Sequence, residues 1–500
     1  MNVMMLLEMA AQGFGERVAF TNGRESLTYQ ELFDAAGAAA AHIKRSGAQY
    51  LAMLDVSSLA VPVGLFASAW AGVPYVPINY RLTELEIKAL LSRVEPALLV
   101  TDAGRVAEFS GHADLQLCAR DEFLALAKAG EPLTDSWSMD QDDIGVLLFT
   151  SGTTGAPKAA VLRQKHLVSY ILGSVEFMSA EADAAALVCV PPYHIAGISA
   201  VFSSVYSGRR VVQLPDFTAE RWLQLVREEA VSNAFVVPTM LARIVDALGD
   251  DPEVSLPSLK AIAYGGGKMP LSVIERAMQL FPNADFTNAY GLTETSSTIA
   301  VLGPQEHRDA AASEDEAVRR RLVSVGRPLP GVEVEIRDDE GTVLVAGQRG
   351  EIYVRGEQVS GEYVGRASSL DADGWFPTRD AGSMDSEGFL FLEGRADDVI
   401  VRGGENMSPG EIEDVLLEHP AVLDVAVVGV PDEQWGEGVA AAVVLKQGQC
   451  AEAEELQSWV KDRMRSSRVP QLLQFWPELP YNETGKLLRR IVKAELASAL

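Results

Sequence analysis

Cysteine is scarce in this chain: there are three in 500 residues, Cys118, Cys189 and Cys450, far apart and in no CxxC pair. That excludes a disulfide framework or a structural zinc as the organising device, and it suits a reducing cytoplasmic compartment. Histidine is sparse as well, six in all with no HExxH, so no zinc-protease helix is present. Positive charge is short. Forty-two Lys and Arg against 70 Asp and Glu leave a formal net charge of −28, a poor match for a nucleic-acid backbone. No GxSxG elbow occurs, which removes a serine-esterase reading. Short-period repeats and low-complexity tracts are also missing.

Long uninterrupted apolar runs are few. Residues 1–11 lack a basic start and Glu8 breaks the apolar stretch, so no secretory leader is expected. Two uncharged stretches, 56–80 and 184–208, are long enough to weigh as membrane spans. The first carries Pro62, Pro74 and Pro77, and the second Pro191, Pro192 and His194. Each therefore reads as a buried helix and a strand in succession, and no membrane span is expected.

What is present is enough apolar sequence, 48%, for more than one core. Apolar runs at 51–56, 73–78 and 98–101 alternate with helical patterns at 58–71 and 83–94, after a first helix and entry turn over 6–19 and an amphipathic helix over 28–46. The alternation resumes with strands at 185–190, 211–214, 233–237 and 259–264 and helices at 164–178, 218–230, 239–248 and 271–281. Spacing of this kind predicts an α/β fold with parallel strands and right-handed crossovers, here as two similar packed sheets. From Val332 short alternating strands (332–337, 350–355, 389–392) predict a small β unit. The last hundred residues predict a compact α+β domain, with helices at 408–418 and 453–466 and strands at 422–431, 439–445 and 472–476. The expected division is a large domain over 1–394 and a small domain over 398–500, with the break near 394–397.

The chain is organised around Thr150-Ser151-Gly152-Thr153-Thr154-Gly155-Ala156-Pro157-Lys158, which follows a buried strand at 144–149. Glycines let backbone N–H groups converge on an anion, hydroxyls add donors, and Lys158 adds a charge. It is not a Walker A loop, which needs four residues between its glycines and a lysine directly after the second. A plain Gly/Ser/Thr linker is the alternative for such a stretch taken alone. As it stands, the stretch resembles the phosphate loop of the adenylate-forming superfamily, which comprises acyl-CoA synthetases, adenylation domains and beetle luciferases. Ala159 stands where that family usually has glycine, and reduced loop freedom is expected there.

Further motifs follow in the family's order. Tyr193-His194-Ile195-Ala196-Gly197 comes after a strand, at the edge where open α/β sheets bind ligands. The resemblance places this aromatic–His pair beside the acyl carboxylate. Tyr264-Gly265-Gly266-Gly267 resembles the loop lining the adenine and acyl pockets. In Asn288-Ala289-Tyr290-Gly291-Leu292-Thr293-Glu294 an aromatic can stack on adenine, Thr293 can donate to the α-phosphate and Glu294 can hold Mg2+. Thr378-Arg379-Asp380 resembles a Thr-Gly-Asp element whose aspartate accepts from the ribose hydroxyls, with Arg379 in the glycine's place. The resemblance implies that Arg395 reaches the ribose or the phosphates and that Asp397 is the pivot of a hinge at 395–397 about which the small domain is mobile. Gly403 and Gly404 match the turn lining the pantetheine tunnel, and Asn406 departs from the basic residue of some relatives. Lys486 resembles the adenylation lysine.

The resemblance implies an ATP-dependent ligase that uses Mg2+ and coenzyme A and passes through an acyl-adenylate. Lys486, His194, Thr293 and Glu294 would act at the reacting atoms. Tyr193, Ile195, Gly197, Val237, Tyr264, Gly265, Gly291 and Ser296 would line the acid pocket. Pro191–Gly197 carries no aspartate to bind an α-amino group, and no GxDS carrier motif follows, so a free-standing ligase on an amine-free fatty, aryl or polycyclic acid is expected. Transfer to an acyl carrier protein, luciferase-like oxidation and a degenerate nucleotide-binding protein are the alternatives, and a homodimer is compatible with all of them.

Overall fold

The computed structural model describes residues 1–150, 157–249, 256–395, 398, 400–402, 405–432, 434–481 and 487–499. Two large sheets dominate. The first has six strands in the order Leu115–Ala119, Ala97–Thr101, Tyr50–Leu54, Tyr75–Pro77, Ile144–Thr150 and Lys158–Arg163. All pairings are parallel except the last, an antiparallel hairpin with Thr150 opposite Lys158. The second has nine strands, with a parallel centre formed by Asn233–Val236, Ala185–Val188, Ala261–Gly265 and Asp285–Leu292. Its edges are antiparallel, made by Ser297–Leu302 on one side and the Val18–Asn22/Glu25–Thr28 hairpin on the other.

The two uncharged stretches explain how these sheets pack. Helix Ala60–Ala71 is buried at all 12 positions. A helix apolar all round belongs inside a core. It meets helix Ile195–Ser207 there, with Phe66 and Phe202 edge to face at 5.6 Å. One apolar cluster takes residues from both helices and both sheets. Among the described residues no helix is long and apolar enough to cross a membrane. Helix Tyr29–Ser46 is fixed at both ends. Thr28 and Glu31 form a reciprocal capping box, and Gly47 closes the helix in the left-handed conformation at φ 70°.

The small β unit is a four-stranded antiparallel sheet: Glu333–Arg337, Gly350–Arg355, Phe376–Met384 and Leu390–Arg395. The third of these is absent from the sequence-based expectation and carries the Thr378–Asp380 element. The C-terminal residues build their own sheet around the long hairpin Val422–Asp432/Gly436–Leu445, covered by helices Pro409–Leu417, Ala453–Lys461 and Arg489–Ser498. Apolar clusters on each face of this sheet draw only on residues from 400 onward. The first helix runs Met4–Phe14, and a turn then leads into strand Val18–Asn22, which pairs with Arg210–Gln213 on one side and Glu25–Thr28 on the other.

Candidate active site

The phosphate-loop stretch is a hairpin connection. Of its residues, Thr150 and Lys158 are described, and they face each other at its mouth. Thr150 Oγ1 donates to Lys158 O at 3.4 Å. Ser151, Gly152, Thr153, Thr154 and Gly155 lie outside the described residues. Ala159 is not in the loop. It pairs with Phe149 inside the strand and is buried, so the expectation of a stiffened loop at this position is corrected: a strand position does not need glycine.

Lys158 sets its ammonium 5.5 Å from the ring centroid of Tyr363. The Tyr363 hydroxyl donates to Glu294 Oε1 at 2.5 Å. Glu294 sits in a short 3-10 turn, Thr293–Thr295, that ends strand Asp285–Leu292. Earlier on that strand Tyr290 donates its hydroxyl to Asp380 Oδ2 at 2.7 Å. Asp380 in turn pairs across the small sheet with Arg395. The Arg395 side chain lies outside the described atoms, as do Asp397, Gly403, Gly404 and Lys486 and the side chain of Asn406. Two contact groups, Lys158–Tyr363–Glu294 and Tyr290–Asp380, are thus brought to one place by strand Asp285–Leu292 and the turn that follows it.

The glycines of these motifs hold the strands close. A Cβ on Gly265 would lie 2.2 Å from Ala289 O, and one on Gly291 would lie 1.8 Å from Ser297 O. Gly266 takes φ +82°, and its missing Cβ faces Val237 Cγ1 at 3.7 Å, which brings Val237 to the glycine loop. Just after the Glu294 turn the backbone becomes left-handed at Ser296, φ 56°. Ser296 is fully buried, and its Oγ has no hydrogen-bond partner among the described residues. Ser199, on helix Ile195–Ser207, donates to Ser296 O at 3.4 Å. Through that contact the helix headed by His194 meets the Glu294 turn.

His194 precedes helix Ile195–Ser207 as its N-cap residue, so the helix dipole favours an anion beside it. Its ring lies 4.5 Å from that of Tyr193, which packs edge to face on Tyr80 at 5.2 Å. Nε2 is shielded from solvent and has no partner among the described residues. Burial, then the nearby charge of Arg81, push the imidazole down to about 4. At neutral pH it is uncharged, with an orphaned polar nitrogen that a ligand can satisfy. Gly197 lets the first helical turn approach Pro191, whose carbonyl would be 2.7 Å from an added Cβ.

One expected role needs correction. The Tyr264 side chain is fully buried in the core beneath the outer helices, and its hydroxyl and His307 Nε2 are 2.8 Å apart. It faces away from the His194 side of the sheet, so only its backbone belongs to the glycine loop. Asn288 commits its amide N–H to Ser324 O at 2.9 Å, bracing the strand. Arg379 neither crowds the turn nor points at Asp380. It adopts φ 62°, and its side chain is 64% exposed, with Nε 3.8 Å from Glu351 Oε1.

Sequence reasoning missed Tyr363, which belongs to none of the quoted motifs. It also gave no role to Lys268, the last residue of the glycine-rich stretch Ala263–Lys268. Lys268 reaches the small domain, pairing with Asp414 at 2.6 Å and donating to Gly410 O at 3.3 Å. A lone Tyr or Lys gives no periodic signal, and neither was recoverable from spacing.

Comparison with known proteins accords with this geometry. Residues 7–364 match the family model described as AMP-binding enzyme, and residues 411–486 match the AMP-binding enzyme C-terminal domain. The chain is 32% identical to a 2-succinylbenzoate–CoA ligase of Bacillus licheniformis, over 97% of this chain and 98% of that protein. It is also 32% identical to the fatty acid–[acyl-carrier-protein] ligase ScoC of Streptomyces coeruleorubidus, over 93% and 91%. Among solved structures it superimposes on o-succinylbenzoate CoA synthetase (MenE) from Bacillus subtilis in complex with the acyl-adenylate intermediate OSB-AMP. The TM-score is 0.85 at 30% identity, covering 98% of this chain and 97% of that one. The chain belongs to the AMP-binding enzyme family.

Proposed function

We propose that the chain is an ATP-dependent acid–thiol ligase. A carboxylate oxygen attacks the α-phosphorus of ATP, the P–O bond to pyrophosphate breaks, and an acyl-adenylate forms. The thiol of coenzyme A then attacks the acyl carbon, AMP leaves, and the thiol proton passes to solvent. A single observation carries the reading: strand Asp285–Leu292 and its turn bring together the Lys158–Tyr363–Glu294 contacts and the Tyr290–Asp380 bond, beside a neutral His194 whose Nε2 has no partner among the described residues.

Each part has a physical task. The acid is already ionised at neutral pH, so no general base is needed for the first step. Bringing it to a triphosphate requires charge screening and positioning. Thr150 and Lys158 frame the phosphate hairpin, with Ser151 to Gly155 between them, and Thr293 lies beside the α-phosphate. Glu294 offers one carboxylate. Among the described residues no group of three or more His, Cys, Asp or Glu could cage a metal. One or two carboxylates is the donor set that suits a Mg2+ bound mainly by phosphates, so the residues fit the ion. When bound, that ion supplies charge neutralisation on the phosphates. Asp380, held by Tyr290, accepts from the ribose. The buried His194 nitrogen donates to the acid carboxylate as a neutral imidazole. Tyr193, Ile195, Val237 and the glycine edges at Gly197 and Gly265 supply an apolar wall for an amine-free aryl or fatty acid. 2-Succinylbenzoate heads the acids to try because relatives carry its name.

Lys486 closes the adenylation site from the small domain. That domain turns about a hinge at 395–397, with Asp397 the pivot, to exchange Lys486 for the Gly403–Gly404 turn and the pantetheine arm. Likeness to ScoC motivates a second acceptor, a carrier-protein thiol. ATP–pyrophosphate exchange across a panel of acids, then CoA or carrier protein offered to the adenylate, tests both readings. No exchange with any acid would refute them. K486A should abolish exchange yet still convert a supplied acyl-adenylate to thioester. Equal loss in both half-reactions would overturn the lysine's assignment.

A further inference from the structure

Tyr363 lies between strands Gly350–Arg355 and Phe376–Met384, outside every nucleotide-binding motif identified above. Its backbone is fixed from both sides. Tyr363 bridges to Ala160, Val161 N donates to Glu362 O at 2.9 Å, and Val364 N donates to Ala159 O at 3.0 Å. Arg163 grips the neighbouring Glu362 with two parallel bonds, 2.8 and 2.7 Å. On the other flank Ser360 N donates to Glu294 O at 2.8 Å. The segment is therefore tied to the phosphate hairpin and to the Glu294 turn at once. The phenol held this way has two outlets, its hydroxyl on Glu294 Oε1 and its ring near the Lys158 ammonium.

We infer that Tyr363 is a positioning residue for the metal-bearing triphosphate. As a neutral donor, its hydroxyl orients the Glu294 carboxylate without discharging it, leaving Oε2 for the ion. Its ring gives Lys158 an electrostatic seat, which limits the lysine's search for the phosphates. The inference rests on the assignment of Glu294 to Mg2+ and Lys158 to phosphate proposed above. Both groups act on the triphosphate, so loss of the tyrosine weakens Mg·ATP and spares AMP and the thioester step.

The test uses the full chain carrying Tyr363→Phe, with calorimetric binding of Mg·ATP, metal-free ATP and AMP. Magnesium titrations of pyrophosphate exchange and conversion of supplied acyl-adenylate with CoA complete it. Phe keeps the ring and removes only the hydroxyl. The half-saturating Mg2+ concentration should rise roughly tenfold, as expected for loss of one hydrogen bond to a charged group. AMP affinity and the thioester step should not move. Tyr363→Leu should also weaken metal-free ATP, because the seat for Lys158 is gone. Unchanged Mg·ATP binding in Tyr363→Phe would overturn the inference, as would proportionate loss of all three nucleotides. Glu294→Gln measured in parallel separates the two levels. If it leaves the magnesium requirement intact, the metal assignment itself fails. If it shifts that requirement while Tyr363→Phe does not, only the role given to Tyr363 fails.

Discussion

Replacing Arg379 tests whether a departure from the family's glycine is structural or chemical. Arg379 sits at φ 62°, where a Cβ crowds the backbone. The left-handed conformation costs an ordinary L-residue roughly 1–2 kcal/mol. Arg379→Gly removes that strain. The extra freedom of glycine in the unfolded chain gives back about 0.4–1 kcal/mol. The ion pair to Glu351, at 3.8 Å with the arginine side chain 64% exposed, is worth at most about 0.5 kcal/mol after screening. The bond from the Arg379 backbone N–H to Glu351 Oε1, 3.1 Å, survives in glycine. The balance centres on a gain of about 0.5 kcal/mol for glycine. Arg379→Val puts a β-branched residue at the same φ and should lose at least about 1 kcal/mol. Denaturant melts of the three proteins should therefore rank Gly, Arg, Val. Valine as stable as glycine would refute the strain argument. The same variants test chemistry. If the guanidinium served the phosphates, Arg379→Gly would raise the KM for ATP about tenfold, a loss of about 1.4 kcal/mol. With the side chain turned to Glu351, KM should hold.

Gly291→Ala forces a Cβ to within 1.8 Å of Ser297 O and should cost about 3 kcal/mol or more, whereas Gly341→Ala, open around its Cβ at φ +82°, should cost only about 1 kcal/mol. Equal melting shifts would show that the strand ends at Gly291 can part freely. In the small domain Arg489 holds the buried Glu413, with Nη2 to Oε2 at 2.8 Å, and donates to Val427 O at 2.7 Å. Burial alone would raise the Glu413 carboxyl, but the guanidinium holds it below the usual range. Arg489→Gln should therefore destabilise the small domain by about 3–5 kcal/mol, read as early proteolysis of residues beyond the hinge. Burial also pushes the His166 imidazole, 5% exposed, down to about 4. Unfolded chains bind that proton from about pH 6.5 downward while the folded chain does not. Stability is thus intact above pH 6.5 and falls as pH drops toward 4, by up to about 1.4 kcal/mol per pH unit for this one group. His166→Gln should flatten the fall by one proton, and an unchanged slope would refute the linkage.

The parts of the site readable from sequence are those where several special residues crowd one stretch. Thr150–Lys158, Tyr290–Glu294 and Pro191–Gly197 combine glycine, hydroxyl and charge in patterns that ordinary turns do not need. Strands without such density were harder to see. Phe376–Met384 carries Pro377, Arg379 and Asp380, and Asp285–Leu292 carries Asn288 and Gly291, so neither alternates cleanly. Both are held by neighbours: Thr378 donates to Ile352 O at 2.8 Å, and Tyr290 binds Asp380. Facing direction was also hidden. Tyr264 and Gly265 are adjacent in sequence, yet a strand sends neighbouring side chains to opposite faces. That is why the tyrosine ended in the outer core on His307 while the glycine loop kept its place.

A contact-linked site of this kind also limits which substitutions the chain can tolerate. Glu294 is tied through its side chain to Tyr363 and through its backbone carbonyl to Ser360 N. Gln358 adds bonds from its amide to Thr295 O and Thr298 O, 3.0 and 2.7 Å, on either side of the left-handed Ser296. The strained turn is therefore over-determined by its surroundings, the condition under which unfavourable backbone angles persist at functional positions. Ala159 and Arg379 stand where the family usually has glycine, one in a paired strand and the other at an exposed corner. Gly265 and Gly291, where a Cβ would strike backbone, are kept. The two departures spare the positions where a Cβ would strike backbone, so they give no reason to regard this chain as a degenerate relative that has lost its chemistry.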